Sequence, residues 1–106
     1  MNVRTTRIPI SPATAATADT SSYQAMVTAM RKVDGFLGAM LLIDRSTGSN
    51  LGLTFWASED ALRASEEVAD AHRKDGAASM GATGAPAVER FEVAYYAAPQ
   101  PQQAGS

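Results

Sequence analysis

The apolar positions of this chain follow two spacings, one typical of strands and one typical of helices. Residues 36–44, 51–56 and 87–98 are rich in branched and aromatic side chains and are bounded by turn-forming residues, which predicts three strands. Residues 3–10 mix β-branched with charged side chains and predict a first strand that ends near two prolines. The second and third strands carry apolar residues on both parities, which is typical of strands covered on both faces.

Two further segments have helical spacing. The first apolar stripe consists of Tyr23, Met26, Val27, Met30 and Val33. Asp34 and Gly35 end this helix, and Ser58 is the predicted cap of a second one. The apolar side of the second helix consists of Ala61, Leu62, Ser65, Val68, Ala69 and His72. Asp75 and Gly76 are predicted to loosen its end.

The remaining segments are predicted to be connections. Residues 11–20 are a loop, residues 45–50 a hairpin-type turn, and residues 77–86 a loop or short helical turn. Residues 99–106 form a polar tail rich in proline and glutamine, which predicts disorder. Residues 1–98 are therefore expected to form a single domain.

The order strand, helix, strand, strand, helix, strand is typical of a ferredoxin-like α+β fold. It predicts a four-stranded antiparallel sheet with two helices on one face. Phe36, Met40 and Leu42 share one parity of the second strand, and Leu37, Leu41 and Ile43 share the other. Helices can cover only one of these faces, so we expect a homodimer in which two sheets pack face to face as a dimeric α+β barrel.

Composition narrows the classes of function. The chain has 106 residues, a net charge of −2 and no basic run, so we expect no nucleic-acid partner. It has no cysteine and one histidine, so no metal site is predicted. The beginning of the chain is too polar for a signal peptide, and no apolar run reaches the ~18 residues of a membrane span. The expected protein is cytoplasmic and has no membrane partner.

Three stretches resemble the antibiotic-biosynthesis-monooxygenase-like group of dimeric α+β barrel proteins. They are "DGFLGAMLLID" at 34–44, "LTFWASEDALRAS" at 53–65 and "VERFEVAYY" at 88–96. The resemblance implies a small homodimer with a pocket between each sheet and its helices. Some relatives oxidise polycyclic aromatic substrates with O₂ and without metal, flavin or haem. Another branch binds haem and breaks it open, and many members have no established activity.

His72 is the candidate catalytic residue, because it lies on the apolar side of the second helix and can act as a base or hydrogen-bond partner. It could also be satisfied within the core or the dimer interface. In the haem-degrading branch a histidine on this helix binds the iron. That branch also carries a tryptophan two turns earlier, where this chain has Ser65, and an asparagine on the first strand, where this chain has Arg4, Thr5 and Thr6.

A pocket for a hydrophobic or aromatic small molecule is predicted to be lined by Trp56, Tyr23, Met26, Met30 and Ser65. Methionines would make this lining adaptable, although the same stripe could simply be core. The leading hypothesis is a cofactor-independent monooxygenase acting on an aromatic or polyketide-like substrate, with no cofactor predicted. The alternative is a non-catalytic binding or structural barrel, and a haem-binding protein ranks third.

Overall fold

The computed structural model describes residues 1–101, and within that range it contains four strands and four helices. Along the chain these are β1 (Asn2–Arg7), α1 (Pro12–Thr17), α2 (Ser21–Met30), β2 (Phe36–Asp44), β3 (Ser49–Trp56), α3 (Glu59–Ala64), α4 (Glu66–Met80) and β4 (Ala87–Glu92). Of the tail predicted for residues 99–106, residues 102–106 lie outside the described residues.

The strands form one antiparallel sheet in the order β2-β3-β1-β4. β1 lies between β3 and β4, so Val3 is paired with Phe55 on one side and with Phe91 on the other. α2 and α4 contact each other, α2 contacts β2, and α3 contacts both β1 and β3. The predicted ferredoxin-like α+β fold with a four-stranded antiparallel sheet is thereby confirmed.

The core lies between the helices and one end of the sheet. Met30, Trp56, Leu62 and Ala69 form its buried cluster. Phe36 packs edge-on against Trp56, with ring centroids 5.4 Å apart and planes inclined at 73°. Edge-to-face pairs of this kind add to the free energy gained by burial alone.

A bulge in β2 changes the parity predicted for Phe36. The register with β3 shifts between Phe36 and Gly38, so Phe36 is opposite Trp56 while Met40 is opposite Leu53. An extra residue in one strand turns the following side chains to the other face. The prediction that Phe36 shares a face with Met40 and Leu42 is therefore wrong.

The loop predicted for residues 11–20 contains a helix, α1. Ser11 caps it by accepting a hydrogen bond from the Thr14 backbone N–H at 3.2 Å, and Pro12 is its first residue. Arg45 donates from Nη1 to the carbonyl oxygens of Ala15 and Ala18, both at 2.9 Å. These contacts satisfy carbonyls at the end of the helix, and they come from a distant turn that periodicity cannot reveal.

The second predicted helix is divided at Ser65 into α3 and α4, and it continues through Gly76 to Met80. Because of this interruption, the apolar side of α4 does not continue that of α3. Val68, which was predicted to face inward, is 38% exposed. Gly81 ends α4 in the left-handed conformation with φ of 65°, as helix C-termini commonly do. The expected loosening at Asp75 and Gly76 is therefore wrong.

Two strands end earlier than predicted, β1 at Arg7 instead of residue 10 and β4 at Glu92 instead of residue 98. β4 ends at Glu92, which is opposite Asn2 at the beginning of β1. One more backbone contact, from the Val93 N–H to the Met1 carbonyl at 2.8 Å, follows that pair. The predicted strand to residue 98 therefore ends six residues early.

The face of the sheet that points away from the helices is apolar. Met40 and Leu42 of β2 are 43% and 46% exposed, and Phe91 of β4 is 48% exposed. Phe55 of β3, which is paired with Val3, also lies beside Tyr96, with ring centroids 6.2 Å apart. Within residues 1–101, every helix is too short or too polar to cross a membrane.

Candidate functional site

A cavity of about 100 Å³ lies between the helix-covered face of the sheet and helices α2 and α4. When open solvent at its mouth is included, the empty volume is about 690 Å³. Alternate residues of the central strands form its floor, because side chains two apart in a strand share a face. Its lining residues are Arg4, Thr6, Ile8, Ser22, Tyr23, Met26, Met30, Leu41, Asn50, Gly52, Thr54, Ala69, His72, Arg73, Gly76 and Met80.

Tyr23 crosses the floor of the cavity at the place where β3 has a glycine. A Cβ atom on Gly52 would lie 3.1 Å from Cε2 of Tyr23, so the missing side chain makes room for the ring. The hydroxyl lies 2.8 Å from each of the Met40 and Leu53 carbonyl oxygens and can donate its one hydrogen to either. Burial raises the pKa of Tyr23 to about 12. Tyr23 is therefore a neutral wall whose hydroxyl is bound to the sheet.

His72 reaches the cavity from α4, together with residues spaced three and four apart along the same helix. Ala69, Arg73, Gly76 and Met80 share its side of α4, as expected from helical geometry. The imidazole is half-buried and is the only one in the chain. The structure places His72 in the wall of the cavity, while its catalytic role stays a prediction.

Met26 and Met30 of α2 line the cavity opposite His72's helix, and Met80 of α4 adds a third thioether. Met30 is also part of the buried core cluster, with 1% exposure. The amide of Asn50 lies 3.9 Å from the sulfur of Met80. Unbranched thioether side chains adapt to ligand shape more readily than branched ones.

Trp56 and Ser65 lie outside the wall in which the sequence predicted them. Trp56 is completely buried and donates from Nε1 to Oγ1 of Thr54 at 3.0 Å. Ser65 is also completely buried and donates to the Leu62 carbonyl at 2.6 Å. Both contact residues that do line the cavity, so they support its wall from behind. The reason is tertiary: the large indole fills the corner between sheet and helices.

Arg4 of β1 is the main lining residue that the sequence prediction missed. The residue is 2% exposed, and its guanidinium carbon lies 5.7 Å from the centre of the Trp56 ring. Nη2 donates to the Leu62 carbonyl at 2.9 Å and to Oγ of Ser65 at 2.6 Å. Nη2 also lies 3.4 Å from Oε1 of Glu66. Nε is buried and has no hydrogen-bond partner within residues 1–101.

Burial and neighbouring charges act on Arg4 in opposite directions. Desolvation lowers the pKa of Arg4, whereas the charge of Glu66 raises it. Glu66 is shared, because Arg90 donates to its two oxygens from Nε at 2.6 Å and from Nη2 at 2.8 Å. The pKa of Glu66 is lowered, chiefly by the hydrogen bond from Arg90. One carboxylate therefore faces two guanidinium groups.

Two of the lining residues, Arg4 and Arg73, are cations, and the carboxylates that pair with them lie outside the lining. Arg73 has a side chain that is 11% exposed and an Nη2 atom 3.6 Å from Oδ1 of Asp70. Among the lining residues within 1–101 there is no carboxylate. Parity along β1 places Arg4 with Thr6 and Ile8, but only the helices packed above the sheet show that this is the cavity face.

Comparisons with known proteins bear on the fold. No family model matches the chain. The uncharacterized protein Rv2557 of Mycobacterium tuberculosis is 35% identical over 69 residues, which is 65% of this chain and 30% of that protein. A protein of another strain of the same organism matches to the same extent. The chain thus spans less than a third of the length of these relatives.

Three solved structures are similar over almost their whole length. A monooxygenase from the gene ActVA-Orf6 of Streptomyces coelicolor, in complex with nanaomycin D, has a TM-score of 0.70 at 20% identity, covering 93% of this chain and 92% of that one. SnoaB, a cofactor-independent oxygenase from Streptomyces nogalater, has a TM-score of 0.62 at 18% identity, covering 90% and 94%. Rv0793 of Mycobacterium tuberculosis has a TM-score of 0.63 at 23% identity, covering 92% and 98%.

Proposed function

We propose that this chain, which has the antibiotic-biosynthesis-monooxygenase-like fold, is a cofactor-independent oxygenase of an aromatic or polyketide-like small molecule. The observation that carries the proposal is the cavity between sheet and helices, where a half-buried histidine faces methionine and tyrosine walls. Two proteins of similar fold support the reaction class, since one is a monooxygenase holding nanaomycin D and the other a cofactor-independent oxygenase.

The proposed reaction needs a base, a bound substrate and O₂. His72 removes a proton from a ring CH₂ group that is activated by a neighbouring phenol or ketone. The electron pair left on carbon reduces O₂, a C–O bond forms, and the resulting peroxide takes up a proton. Loss of water then leaves a carbonyl, so that CH₂ and O₂ become C=O and H₂O. The protein contributes proton removal, orientation and exclusion of water.

The walls fit a flat, largely apolar ligand. Met26, Met30 and Leu41 offer aliphatic side chains to a ligand, and the ring of Tyr23 offers a flat surface. Small-molecule pockets are usually lined in this way, with a few polar groups that orient the ligand. Trp56 is proposed to act only indirectly, through the residues that it packs against.

We further propose a homodimer, with a second copy covering the apolar face of the sheet. Met40, Leu42 and Phe91 are each between 43% and 48% exposed there. A contiguous patch of such side chains is typical of an interaction surface. The cytoplasmic location expected from the sequence stays a prediction.

Oxygen consumption with a panel of planar phenols and enolisable polycyclic ketones tests the proposed activity. His72→Gln keeps polarity and approximate volume but removes the base, and we expect kcat to fall by roughly 10²-fold or more while substrate affinity changes little. Lys74→Gln is the matched control, because this residue lies on the same helix with a side chain that is 77% exposed.

Each other outcome has a defined meaning. Full activity of His72→Gln would show that His72 is not the base. Ligand binding without oxygen consumption would favour the non-catalytic barrel. A Soret band that forms with added haem and disappears in His72→Gln would favour the haem-binding alternative.

A further inference from the structure

We infer that Arg4 makes the cavity selective for ligands that carry an ionised oxygen on a planar ring system, a phenolate or an enolate. This inference rests on the cavity being the ligand site proposed above, but not on turnover there. It assigns Arg4 a binding role in which an N–H of its guanidinium donates to the ligand oxygen.

The first argument is the unused hydrogen-bonding capacity of Arg4. A guanidinium group has five N–H donors. Every polar contact that the structure gives Arg4 runs through Nη2, to Leu62, Ser65 and Glu66. Nε is buried and without a partner among the described residues. Buried N–H groups are almost always satisfied in folded proteins, so an unpartnered N–H on a side chain that lines the cavity points to a missing acceptor.

The second argument is that the carboxylates near the cavity bind its two arginines only loosely. Glu66 is the carboxylate nearest to Arg4, and it is bound more closely by Arg90, at 2.6 Å compared with 3.4 Å. Arg73 adds a second guanidinium to the lining, and its carboxylate partner Asp70 is 3.6 Å away. No lining residue within 1–101 carries a negative charge. An anionic oxygen in the cavity would offer these arginines a closer partner, and its hydrogen bond to a cation would be stronger than a neutral one.

The third argument concerns the shape and polarity of the rest of the site. Thr54 is paired with Arg4 across the strands, so a polar strip runs along the floor. The opposite wall consists of Met26 and Met30. A ligand that fits both must have an oxygen at one edge and an apolar ring as its body, which describes an ionised phenol better than a carboxylate or phosphate.

The test compares a planar hydroxynaphthoquinone, ionised at neutral pH, with its methyl ether, which has similar size but cannot ionise. Calorimetric titration of the full chain should show at least tenfold tighter binding of the ionised compound. Its affinity should fall when the pH is lowered through the pKa of the ligand, whereas the affinity of the ether should not follow that pKa. This comparison uses the wild-type protein and therefore does not depend on the folding of any variant.

Variants then assign the preference to one residue. Arg4→Met keeps the length of the side chain and should reduce the preference to less than about twofold, with the ether binding as before. Arg63→Met is the control, since this arginine is on α3 with a side chain that is 71% exposed. Far-ultraviolet circular dichroism checks that each variant is folded.

The outcomes separate this inference from the proposed function. Equal affinities for the two compounds in wild type, or a preference that survives in a folded Arg4→Met, would overturn the inference and leave the oxygenase proposal intact. A preference in the binding test, with no oxygen consumption from any compound of the enolisable panel, would support the inference and count against the oxygenase. Failure of both compounds to bind would overturn the cavity as the ligand site and both proposals with it.

Discussion

Tyr23→Phe removes one oxygen atom from the floor of the cavity and leaves the ring in place. The lost hydroxyl donates to one of two backbone carbonyls, Met40 and Leu53, each at 2.8 Å. A single hydrogen bond contributes about 0.5–1.5 kcal/mol net, and a carbonyl left without its partner adds to the loss. We therefore expect the free energy of unfolding at pH 7 to fall by about 1–2 kcal/mol. For a domain of about 100 residues this lowers Tm by roughly 4–12 °C.

The same residue makes a prediction about pH. Burial raises the pKa of Tyr23 to about 12 in the folded protein, compared with 10.0 for an ordinary tyrosine. Because the pKa of Tyr23 is higher in the folded protein than in the unfolded chain, its neutral hydroxyl stabilises the fold fully below pH 10. This stabilisation is lost as the pH rises from about 10 towards 12. The loss is on the order of 2 kcal/mol. Phenylalanine cannot ionise, so the difference between wild type and Tyr23→Phe should shrink over this range.

Urea unfolding followed by circular dichroism measures both effects, at a single protein concentration because association would shift the midpoint. Wild type and variant are compared at pH 7, 9, 10 and 11. The difference between their free energies of unfolding at each pH removes the contributions of the other titrating groups. Tyr95→Phe is the control, since Tyr95 is 86% exposed and its replacement should leave the free energy of unfolding at pH 7 unchanged. A Tyr23→Phe protein as stable as wild type at pH 7, or a difference that stays constant up to pH 11, would refute the assigned hydrogen bonds and burial.

Two further predictions concern the sheet and its faces. Gly52→Ala places a Cβ 3.1 Å from the ring of Tyr23 and should lower the free energy of unfolding by about 1–3 kcal/mol. Gly76 lies inside helix α4, where an added Cβ has no atom within 4 Å, so Gly76→Ala should raise the free energy of unfolding by about 0.5–1 kcal/mol. Thermal unfolding of both variants distinguishes the steric effect from the conformational one. Met40→Glu, on the face of the sheet that points away from the helices, should convert the proposed homodimer to a monomer in sedimentation velocity. Val68→Glu, at an exposed position of α4, should leave the dimer intact. A wild-type protein that sediments as a monomer at micromolar concentration would contradict the dimer.

The sequence by itself determined the kind and order of the main elements. Strand and helix periodicity are local properties, so the four strands, the helix that begins after Ser58 and the inward direction of His72 could be read from residues a few positions apart. Helix α1 was not predicted because its short, alanine-rich segment has no amphipathic stripe. Its one local signal was the cap formed by Ser11 and Pro12.

Only the tertiary structure decided which of these side chains form the cavity. Arg4 and Trp56 lie on the helix-covered face of adjacent strands, yet Arg4 reaches the cavity while Trp56 fills the corner behind it. The parity of Phe36 depends on a bulge, which is a property of two paired strands and of neither alone. Contacts such as that between Arg4 and Ser65 join residues 61 positions apart. The energies that select such contacts arise only when distant segments pack together, and periodicity along one segment carries no information about them.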